Sequence, residues 1–425
     1  MNIHGFDIKN GQLQMGKFAV SELVKQYGSP LYLMDETRIR KQMRTFKTYF
    51  KDDEIKTGVC YASKAFLCKE MARVVKEEGL NIDVSSGGEL YTALAAGVEP
   101  QHIEFHGNNK TNEELEYAVK SKIGLIIIDN VEELDRLESI CKTESCSVLI
   151  RTNPGVEAHT HKYIQTSTLD SKFGVVLNSD LLITMIKRCM DHPNINFMGL
   201  HAHIGSQICD ESSYVEELEA FFKQLKVFKE TGIELNILNI GGGFGVQYTS
   251  KDEPIHLEKV LPEIIKNAKL LAQKYDVKCP SLYIEPGRSI VAEAGINVYK
   301  VGSIKKTPNK NFVIVDGSFQ DSIRAALYQA DYDAILCDKA DQKADTKVNL
   351  MGRACESGDI LIHECTLGQV EVDDLVAVFT TGAYHYSMAN NYNRFTKPAV
   401  VFVKDDSHRV VVKRETYEDL VRNDL

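Results

Sequence analysis

The sequence predicts an α/β protein in which a (β/α)8 TIM barrel is combined with a C-terminal all-β sandwich or barrel domain. From about residue 30 to residue 290, short apolar strands alternate with amphipathic helices. Repetition of this unit over about 250 residues favours a barrel over a doubly wound sheet. After about residue 293, alternating or β-branched segments are separated by short turns and few helices are predicted.

The predicted strands of the first region are short, and several are apolar throughout, as expected of parallel strands covered on both faces. They lie at 31–34, 59–62, 82–85, 103–106, 125–128, 148–151, 198–204, 237–240 and 282–285. The spacing of apolar residues predicts helices at 36–49, 112–122, 179–191, 213–231 and 257–275. Because a barrel of this type has eight strands, one of the nine candidates must lie outside it.

The second region is predicted to contain strands at 297–301, 312–316, 375–380, 399–404 and 410–413. The first 30 residues show a strand-and-turn pattern that suits either domain. We predict a barrel domain over 36–290 and a β domain formed by 1–35 together with 291–425.

Composition excludes several classes of protein. A hydrophobic fraction of 43% and a charged fraction of 26% are those of an ordinary globular protein. The formal charge of −10 argues against general binding to nucleic acid or to an anionic membrane. No apolar run approaches the roughly 18 residues of a membrane span, and no signal peptide is recognisable at the N-terminus, so we expect a cytoplasmic protein. The ten cysteines form no C-x-x-C pair, which argues against a zinc site or a disulfide framework.

One lysine stands at a junction between predicted elements. Lys64 follows the apolar strand 59–62 and precedes a segment with the apolar spacing of a helix. Lysine is rarely buried without a partner, and a desolvated lysine becomes a nucleophile. A solvated lysine is the alternative for this position taken alone.

Other polar residues and glycines gather at the ends of the predicted strands, where barrel enzymes build their active sites. They are Asp83, His106, Arg151, His201, His203, the loop 241–245 and the turn 285–288. The loop has four glycines in five positions, which lets backbone N–H groups approach a phosphate, although a tight turn is the simpler interpretation. Ser206 could add a hydroxyl to the same phosphate.

Glu285 at a strand end could form an ion pair or face a protonated heterocyclic nitrogen. A strand-end lysine, a glycine-rich anion loop and a strand-end carboxylate together indicate pyridoxal 5'-phosphate, which needs one group of each kind. His201 and His203 are two residues apart on a strand and point the same way. We predict no metal site, because no carboxylate stands at ligand spacing from them; a ring packed on a cofactor or a core histidine is favoured.

In the predicted β domain, Cys355 and Glu356 lie in a glycine-containing turn that ends at Asp359. A thiol can act as a general acid near neutral pH, because its ordinary pKa is about 8.5. The alternative is a structural cysteine. Arg324, Tyr328 and the segment 382–388 are the other polar concentrations of this half.

Seven motifs, taken together and in this order, resemble those of the pyridoxal-phosphate-dependent decarboxylases with the alanine-racemase-like barrel. They are YASKA at 61–65, HGNNK at 106–110, HIGSQ at 203–207, GGGFG at 241–245, EPGR at 285–288, CESGD at 355–359 and GAY at 382–384. The resemblance covers residues 32–394. Within this group the chain is similar to the diaminopimelate decarboxylases, which implies conversion of meso-2,6-diaminopimelate to L-lysine and CO2, the last step of lysine biosynthesis.

The resemblance implies a role for each matching residue. Catalytic roles fall to Lys64, which holds the cofactor as a Schiff base, to His203, which stacks on its ring, and to Cys355, which protonates Cα. Glu285 would pair with the pyridine nitrogen, and the phosphate would be held by Ser206, Gly242, Gly243, Gly287, Arg288 and Tyr384. The substrate would be bound by Arg288, Arg324, Tyr328, Glu356 and Tyr384.

The family forms homodimers with shared sites, so the β domain with Cys355 and Glu356 is expected to complete the site of the partner subunit. A glutamate opposite the ring nitrogen favours decarboxylation over the racemisation supported by an arginine. The chain departs from the family pattern at Ser318, Phe319 and Ala325, which lie close to Arg324 in sequence. Alternatives are a sister decarboxylase acting on ornithine, lysine, arginine or carboxynorspermidine, and an inactive homologue that regulates a partner.

Overall fold

Two compact units make up the computed structural model of this chain, which describes residues 2–156 and 171–425. A barrel unit comprises Gln42–Gly245 and Pro254–Ser289, and a β-rich unit comprises Met1–Lys41, Val246–Glu253 and Ile290–Leu425. The short segment Val246–Glu253 thus clusters with the β-rich unit, whereas the sequence analysis places it within 36–290.

The N-terminal segment begins with a four-stranded antiparallel meander and leads into two helices. The meander consists of β1 (Asn2–Ile3), β2 (Phe6–Lys9), β3 (Gln12–Met15) and β4 (Phe18–Ala19), followed by α1 (Val20–Tyr27), β5 (Leu31–Asp35) and α2 (Glu36–Tyr49). Strand β5 corresponds to the candidate at 31–34. It does not join the barrel, so it is the one of the nine candidates that lies outside the ring.

Eight parallel strands close the barrel in the order β10-β12-β13-β14-β6-β7-β8-β9, with β9 returning to β10. The strands of this unit are β6 (Thr57–Ala62), β7 (Asn81–Val84), β8 (Ile103–Phe105), β9 (Leu125–Ile128), β10 (Cys146–Asn153), β11 (Val175–Val176), β12 (Ile195–His201), β13 (Ile237–Asn239) and β14 (Ser281–Ile284). Strand β11 is an extra neighbour of β10 outside the ring. The predicted barrel is therefore confirmed, with its eight strands in the eight remaining candidate positions.

Helices connect these strands, and several of them begin after a side chain that accepts a hydrogen bond from a free backbone N–H group. They are α3 (Lys69–Glu77), α4 (Gly87–Ala95), α5 (Asn112–Lys120), α6 (Val131–Ile140), α7 (Asp180–Asp191), α8 (Ser212–Glu230), α9 (Leu257–Tyr275) and α10 (Arg288–Val291). Ser86, Thr111, Asn130 and Ser179 each accept a hydrogen bond from the backbone N–H three residues later. None of the helices in the described chain combines the length and apolar character needed to cross a bilayer.

The β-rich unit is built on a second, nine-stranded sheet. Its later strands are β15 (Gly295–Lys306), β16 (Asn311–Val315), β17 (Ala334–Leu336), β18 (Thr346–Met351), β19 (Ile360–Leu367), β20 (Leu375–Val378), β21 (Ala399–Lys404) and β22 (Ser407–Val412), with helices α11 (Arg324–Tyr328) and α12 (Tyr417–Val421). The sheet order is β19-β18-β16-β15-β5-β21-β22, while β20 pairs with β15 and β17. A buried cluster that includes Leu13, Leu33, Val298 and Val401 forms the core of this unit.

Candidate active site

The floor of the candidate site is a layer of apolar side chains inside the barrel. Ile127, Leu149, Ile237 and Tyr283 pack in one buried cluster. Side chains two residues apart on a strand point the same way, so the next inward positions are Asp129, Arg151, Asn239 and Glu285. On each of the four strands, an apolar inward side chain is followed two residues later by a polar one. The polar side chains therefore lie towards the carboxyl end of the barrel.

Glu285 lies at the centre of this polar layer. His106 Nε2 lies 2.8 Å from its Oε1, and His201 Nε2 lies 2.9 Å from its Oε2. The amide of Asn239 donates a hydrogen bond to Oε1, at 2.7 Å. Burial would raise the pKa of Glu285, but His106 and His201 outweigh it and hold that pKa well below its ordinary value. Glu285 is therefore an anion within a buried site.

The two histidines carry different charges because their surroundings differ. Burial lowers the pKa of His201 to about 4, with only partial compensation by Glu285, so its ring is neutral. Burial also acts on His106, but the charges of Asp83 and Glu285 outweigh it and raise its pKa. His106 is thus the favoured cation beside Glu285.

Two further carboxyl groups lie in the same layer. Burial raises the pKa of Asp83 to about 6, against the attraction of His106. Burial and the charge of Glu285 raise the pKa of Glu104 to about 7. Sequence analysis did not single out Glu104 or Asn239, because each lies inside a strand of otherwise apolar residues. Glu104 lies two residues before His106, and Asn239 lies two residues before Gly241. This spacing, which places both side chains on the inward face of their strands, would have identified them.

The ligand atoms of His106, His201 and Glu285 all lie within 4.8 Å of one another, a possible three-ligand metal group. A carboxylate companion to His201 therefore exists, contrary to the expectation from sequence. Each histidine nitrogen is already at hydrogen-bond distance from a different Glu285 oxygen. The arrangement is that of a hydrogen-bonded cluster, since metal ligands must spread around an ion about 2 Å from each of them.

Lys64 lies in the short turn Ser63–Ala65 directly after β6, and its side chain is exposed. The following helix begins only at Lys69, because the chain turns through an extended Phe66 and is capped by Cys68. The charge of Lys64 acts on both Asp83 and His203, which places its amine beside the polar layer. An accessible amine at this position is suited to attack a ligand carbonyl group.

His203 follows β12 and contacts the glycine-rich loop, where its Nδ1 accepts a hydrogen bond from Gly242 N at 3.3 Å. Burial, then the charges of Lys64 and Arg151, lower the pKa of His203 well below the ordinary value. The ring is therefore neutral, and this bond fixes its orientation. A flat, neutral imidazole is suited to packing against an aromatic ring.

The loop after β13 requires glycine for steric reasons. A Cβ at Gly242 would lie 2.1 Å from the carbonyl oxygen of Glu285, and one at Gly243, where φ is +92°, would lie 2.4 Å from Gly205 O. A Cβ at Gly287 would lie 2.9 Å from Ala62 Cβ and from Ala62 O. Arg288 is buried and donates from Nη2 to Ser206 Oγ at 2.7 Å. A guanidinium, a hydroxyl and unhindered backbone N–H groups form a donor set for a phosphate.

These groups fit pyridoxal phosphate: an accessible amine for its aldehyde, an anion for its ring nitrogen, a flat ring, and anion donors for its phosphate. Lys110, from the same motif as His106, has a different role. It is buried and bound to Glu133 Oε1 at 2.7 Å, so its role is structural.

Arg288 lies in the barrel unit, and the other predicted substrate-binding residues belong to the β-rich unit. Arg324 is buried and donates from Nε to Tyr332 OH at 2.8 Å. Its guanidinium carbon lies 5.4 Å from the ring centroids of both Tyr328 and Tyr384. Tyr384 has a positive φ of 64°. Arg324, Tyr328 and Tyr384 therefore lie together in this unit.

Cys355 and Glu356 lie in an exposed turn between β18 and β19. Cys355 N donates to Asn393 Oδ1 at 2.9 Å. Buried Asp359 accepts hydrogen bonds from Ala354 N and Phe319 N, both at 2.6 Å. Asp359 thus ties the Cys355 turn to the segment in which the sequence departs from the family pattern, a connection that sequence spacing could not reveal.

Comparison with known proteins agrees with this geometry. A family described as "Pyridoxal-dependent decarboxylase, pyridoxal binding domain" matches residues 36–292. More than half of the chain is matched, which defines a pyridoxal-phosphate-dependent decarboxylase.

The relatives specify the class further. The diaminopimelate decarboxylase of Bacillus subtilis is 46% identical over 431 residues, which cover 100% of this chain and 98% of the relative. The Staphylococcus aureus diaminopimelate decarboxylase is 43% identical, with 98% of each chain covered. A solved diaminopimelate decarboxylase from M. jannaschii, 34% identical, superposes with a TM-score of 0.93 over 99% of this chain and 97% of its own. The chain belongs to the diaminopimelate decarboxylase family.

Glu104→Gln tests the buried carboxyl layer. The pKa of Glu104 is about 7 in the folded chain against 4.5 for the ordinary group, so between these values the folded chain binds a proton that the unfolded chain has released. The free energy of unfolding therefore falls as the pH rises through this window. Glutamine cannot titrate, so from about pH 5 to about pH 8 the variant should gain on the order of 2 kcal/mol relative to wild type.

Urea unfolding of both proteins at the two pH values measures this difference. Glu258→Gln, at an exposed position on α9, is the control and should follow wild type at both. Equal pH dependence of Glu104→Gln and wild type would contradict the assignment.

Proposed function

We propose that this chain decarboxylates meso-2,6-diaminopimelate to L-lysine and CO2, as the last step of lysine biosynthesis. The observation that carries the proposal is the buried Glu285 anion, held by His106 and His201 at 2.8 and 2.9 Å in the same unit as the glycine-rich anion loop. The names of the relatives supply the substrate, and a solved Helicobacter pylori diaminopimelate decarboxylase, 32% identical with a TM-score of 0.86 over 95% of this chain and 98% of its own, is complexed with L-lysine.

In this proposal Lys64 Nζ binds the cofactor covalently and His203 packs on its ring. The phosphate is held by the backbone around Gly242 and Gly243, by the turn at Gly287, and by Ser206, Arg288 and Tyr384, while the N–H of Gly242 itself stays bonded to His203 Nδ1. When bound, the cofactor supplies an electron sink for the pair left by cleavage of the bond between Cα and the carboxylate.

Glu285 has the decisive electrostatic role. A carboxylate anion opposite the ring nitrogen favours a proton on that nitrogen, because opposite charges stabilise each other strongly in a site with little water. Glu285 would thereby keep the ring nitrogen of a bound cofactor in the protonated form that decarboxylation requires. His106, His201 and Asn239 keep Glu285 in the state that performs this task.

Each end of the substrate is assigned to protein residues of complementary charge. Arg288 and Arg324, with Tyr328 and Tyr384, offer cationic and hydroxyl donors to carboxylates, and Glu356 offers a carboxylate to the distal ammonium. Cys355 is exposed, and we assign its thiol the delivery of a proton to Cα.

We further propose a homodimer in which Cys355 and Glu356 act in the site of the partner subunit. Both residues are exposed, yet their turn is fixed by Asn393 and Asp359, as expected of a surface segment with a defined partner. We also place the enzyme in the cytoplasm, because all ten cysteines are free, which suits a reducing compartment.

Substrate choice is tested first with the cofactor-loaded enzyme offered meso-diaminopimelate, ornithine, lysine and arginine separately. Release of CO2 and formation of lysine from meso-diaminopimelate alone are expected, because Glu356 suits a zwitterionic distal end. Turnover of ornithine, lysine or arginine instead would keep the reaction class and refute the substrate.

Cys355→Ala is expected to lower kcat by at least about a hundredfold, since general acid catalysis contributes that much or more. Cofactor affinity should stay unchanged, because no cofactor contact is assigned to this thiol. Cys279→Ala, a partly buried cysteine outside the site, is the control. Normal turnover of Cys355→Ala would assign the proton to another group.

Mixing two inactive variants tests the shared site. After subunit exchange, Lys64→Ala and Cys355→Ala chains should form mixed dimers in which one site of two has both groups. About a quarter of wild-type activity is expected if exchange is random, from the two-fold symmetry of such a dimer. Exchange demonstrated by mass spectrometry without any recovered activity would contradict the proposal.

A further inference from the structure

Asn239 is the last residue of β13 and is fully buried. Both ends of its side-chain amide are engaged. Its Oδ1 accepts a hydrogen bond from Gly241 N at 2.9 Å, and its Nδ2 donates to Glu285 Oε1 at 2.7 Å and to Glu104 Oε2 at 3.4 Å. The orientation of the amide follows from its partners, since a backbone N–H can only donate and the Glu285 anion can only accept.

The Gly241 contact fixes the start of the glycine-rich loop. Gly241 has a φ of +68°, and a Cβ there would lie 2.5 Å from Ala202 O, so no other residue can replace it without strain. Its carbonyl oxygen accepts a hydrogen bond from Glu285 N at 2.7 Å. Side-chain and backbone hydrogen bonds therefore connect the same loop to the same glutamate.

The Glu285 contact of Asn239 differs from that of His106. The raised pKa of His106 lets that ring carry a charge that depends on pH, whereas an amide N–H donates at every physiological pH. Asn239 thus supplies Glu285 with a donor that carries no net charge and does not titrate. It holds the carboxylate in place without neutralising it.

We propose that Asn239 is a positioning residue that sets the phosphate loop and the ring-nitrogen partner at a fixed separation. The cofactor is a rigid ring with a short phosphate arm, so both of its ends can be bound well only when the two protein sites keep the matching distance. One amide that bonds to both sites enforces that distance. The inference rests on the proposed assignment of Glu285 to the ring nitrogen.

Two variants separate the two bonds. Asn239→Asp keeps an acceptor for Gly241 N but sets a second carboxylate against Glu285, and two carboxylates in contact share a proton. Asn239→Ala removes both bonds. Asn81→Asp is the matched control, because Asn81 donates to the other oxygen of Glu104, at 3.2 Å, and its Oδ1 bonds to His102 at 2.9 Å. The same charge is thus added beside Glu104 at a position that bonds neither to Glu285 nor to the glycine-rich loop.

The readouts are the dissociation constant of pyridoxal phosphate and the 15N chemical shift of cofactor labelled at the ring nitrogen, which reports whether that nitrogen is protonated. For Asn239→Asp we expect a shift towards the unprotonated ring, a kcat at least about tenfold lower, and little change in affinity. For Asn239→Ala the dissociation constant should also rise by about tenfold or more. Asn81→Asp should match wild type in all three.

A wild-type ring-nitrogen signal in Asn239→Asp, or a wild-type cofactor affinity in Asn239→Ala, would overturn the proposal. Failure of both variants to fold would also overturn it, because Asn239 would then be required by the barrel itself. The outcome is separate from the proposed reaction: an enzyme that binds the cofactor but leaves meso-diaminopimelate unchanged refutes the substrate, while the 15N shift and the affinity still decide the role of Asn239.

Discussion

The burial of the Glu285 carboxylate as an anion is the constraint on which the barrel site is built. An isolated buried carboxylate would take up a proton, because the cost of removing its charge from water is several kcal/mol or more. Here His106 and His201 lie at 2.8 and 2.9 Å from its two oxygens, and Asn239 adds a neutral donor. Their combined interaction outweighs desolvation, so the charge is retained where a ring nitrogen needs it.

This arrangement is a consequence of strand register. The side chains two residues before Asp129, Arg151, Asn239 and Glu285 form an apolar cluster, which closes the barrel beneath the charged groups and keeps water out. The same exclusion of water that stabilises the fold strengthens the ion pairs above it. On each strand, the apolar side chain stabilises the fold, and the polar side chain two residues later contributes to the electrostatic preorganisation of the site.

The sequence predicts the barrel and most of its strands because parallel strands buried on both faces are apolar throughout. The same property makes 31–34 a ninth candidate strand, because β5 is equally apolar and lies between β15 and β21 in the interior of the other sheet. Motifs identify groups at strand ends, such as Lys64 and Glu285. They do not identify Asn239 or Glu104, whose roles come from hydrogen bonds to residues distant in the chain, and the motif that ends at Asp359 does not reveal its hydrogen bond from Phe319 N.

The two units solve different problems of positioning. In the barrel, Glu285 must keep one protonation state, and burial with fixed donors achieves this. Cys355 must instead release and regain a proton, and a thiol locked in an apolar interior does neither readily. Its turn is therefore exposed but held through the backbone, by Asn393 at Cys355 N and by Asp359 at Ala354 N. Fixing the main chain while leaving the side chain accessible combines a defined position with an exposed thiol.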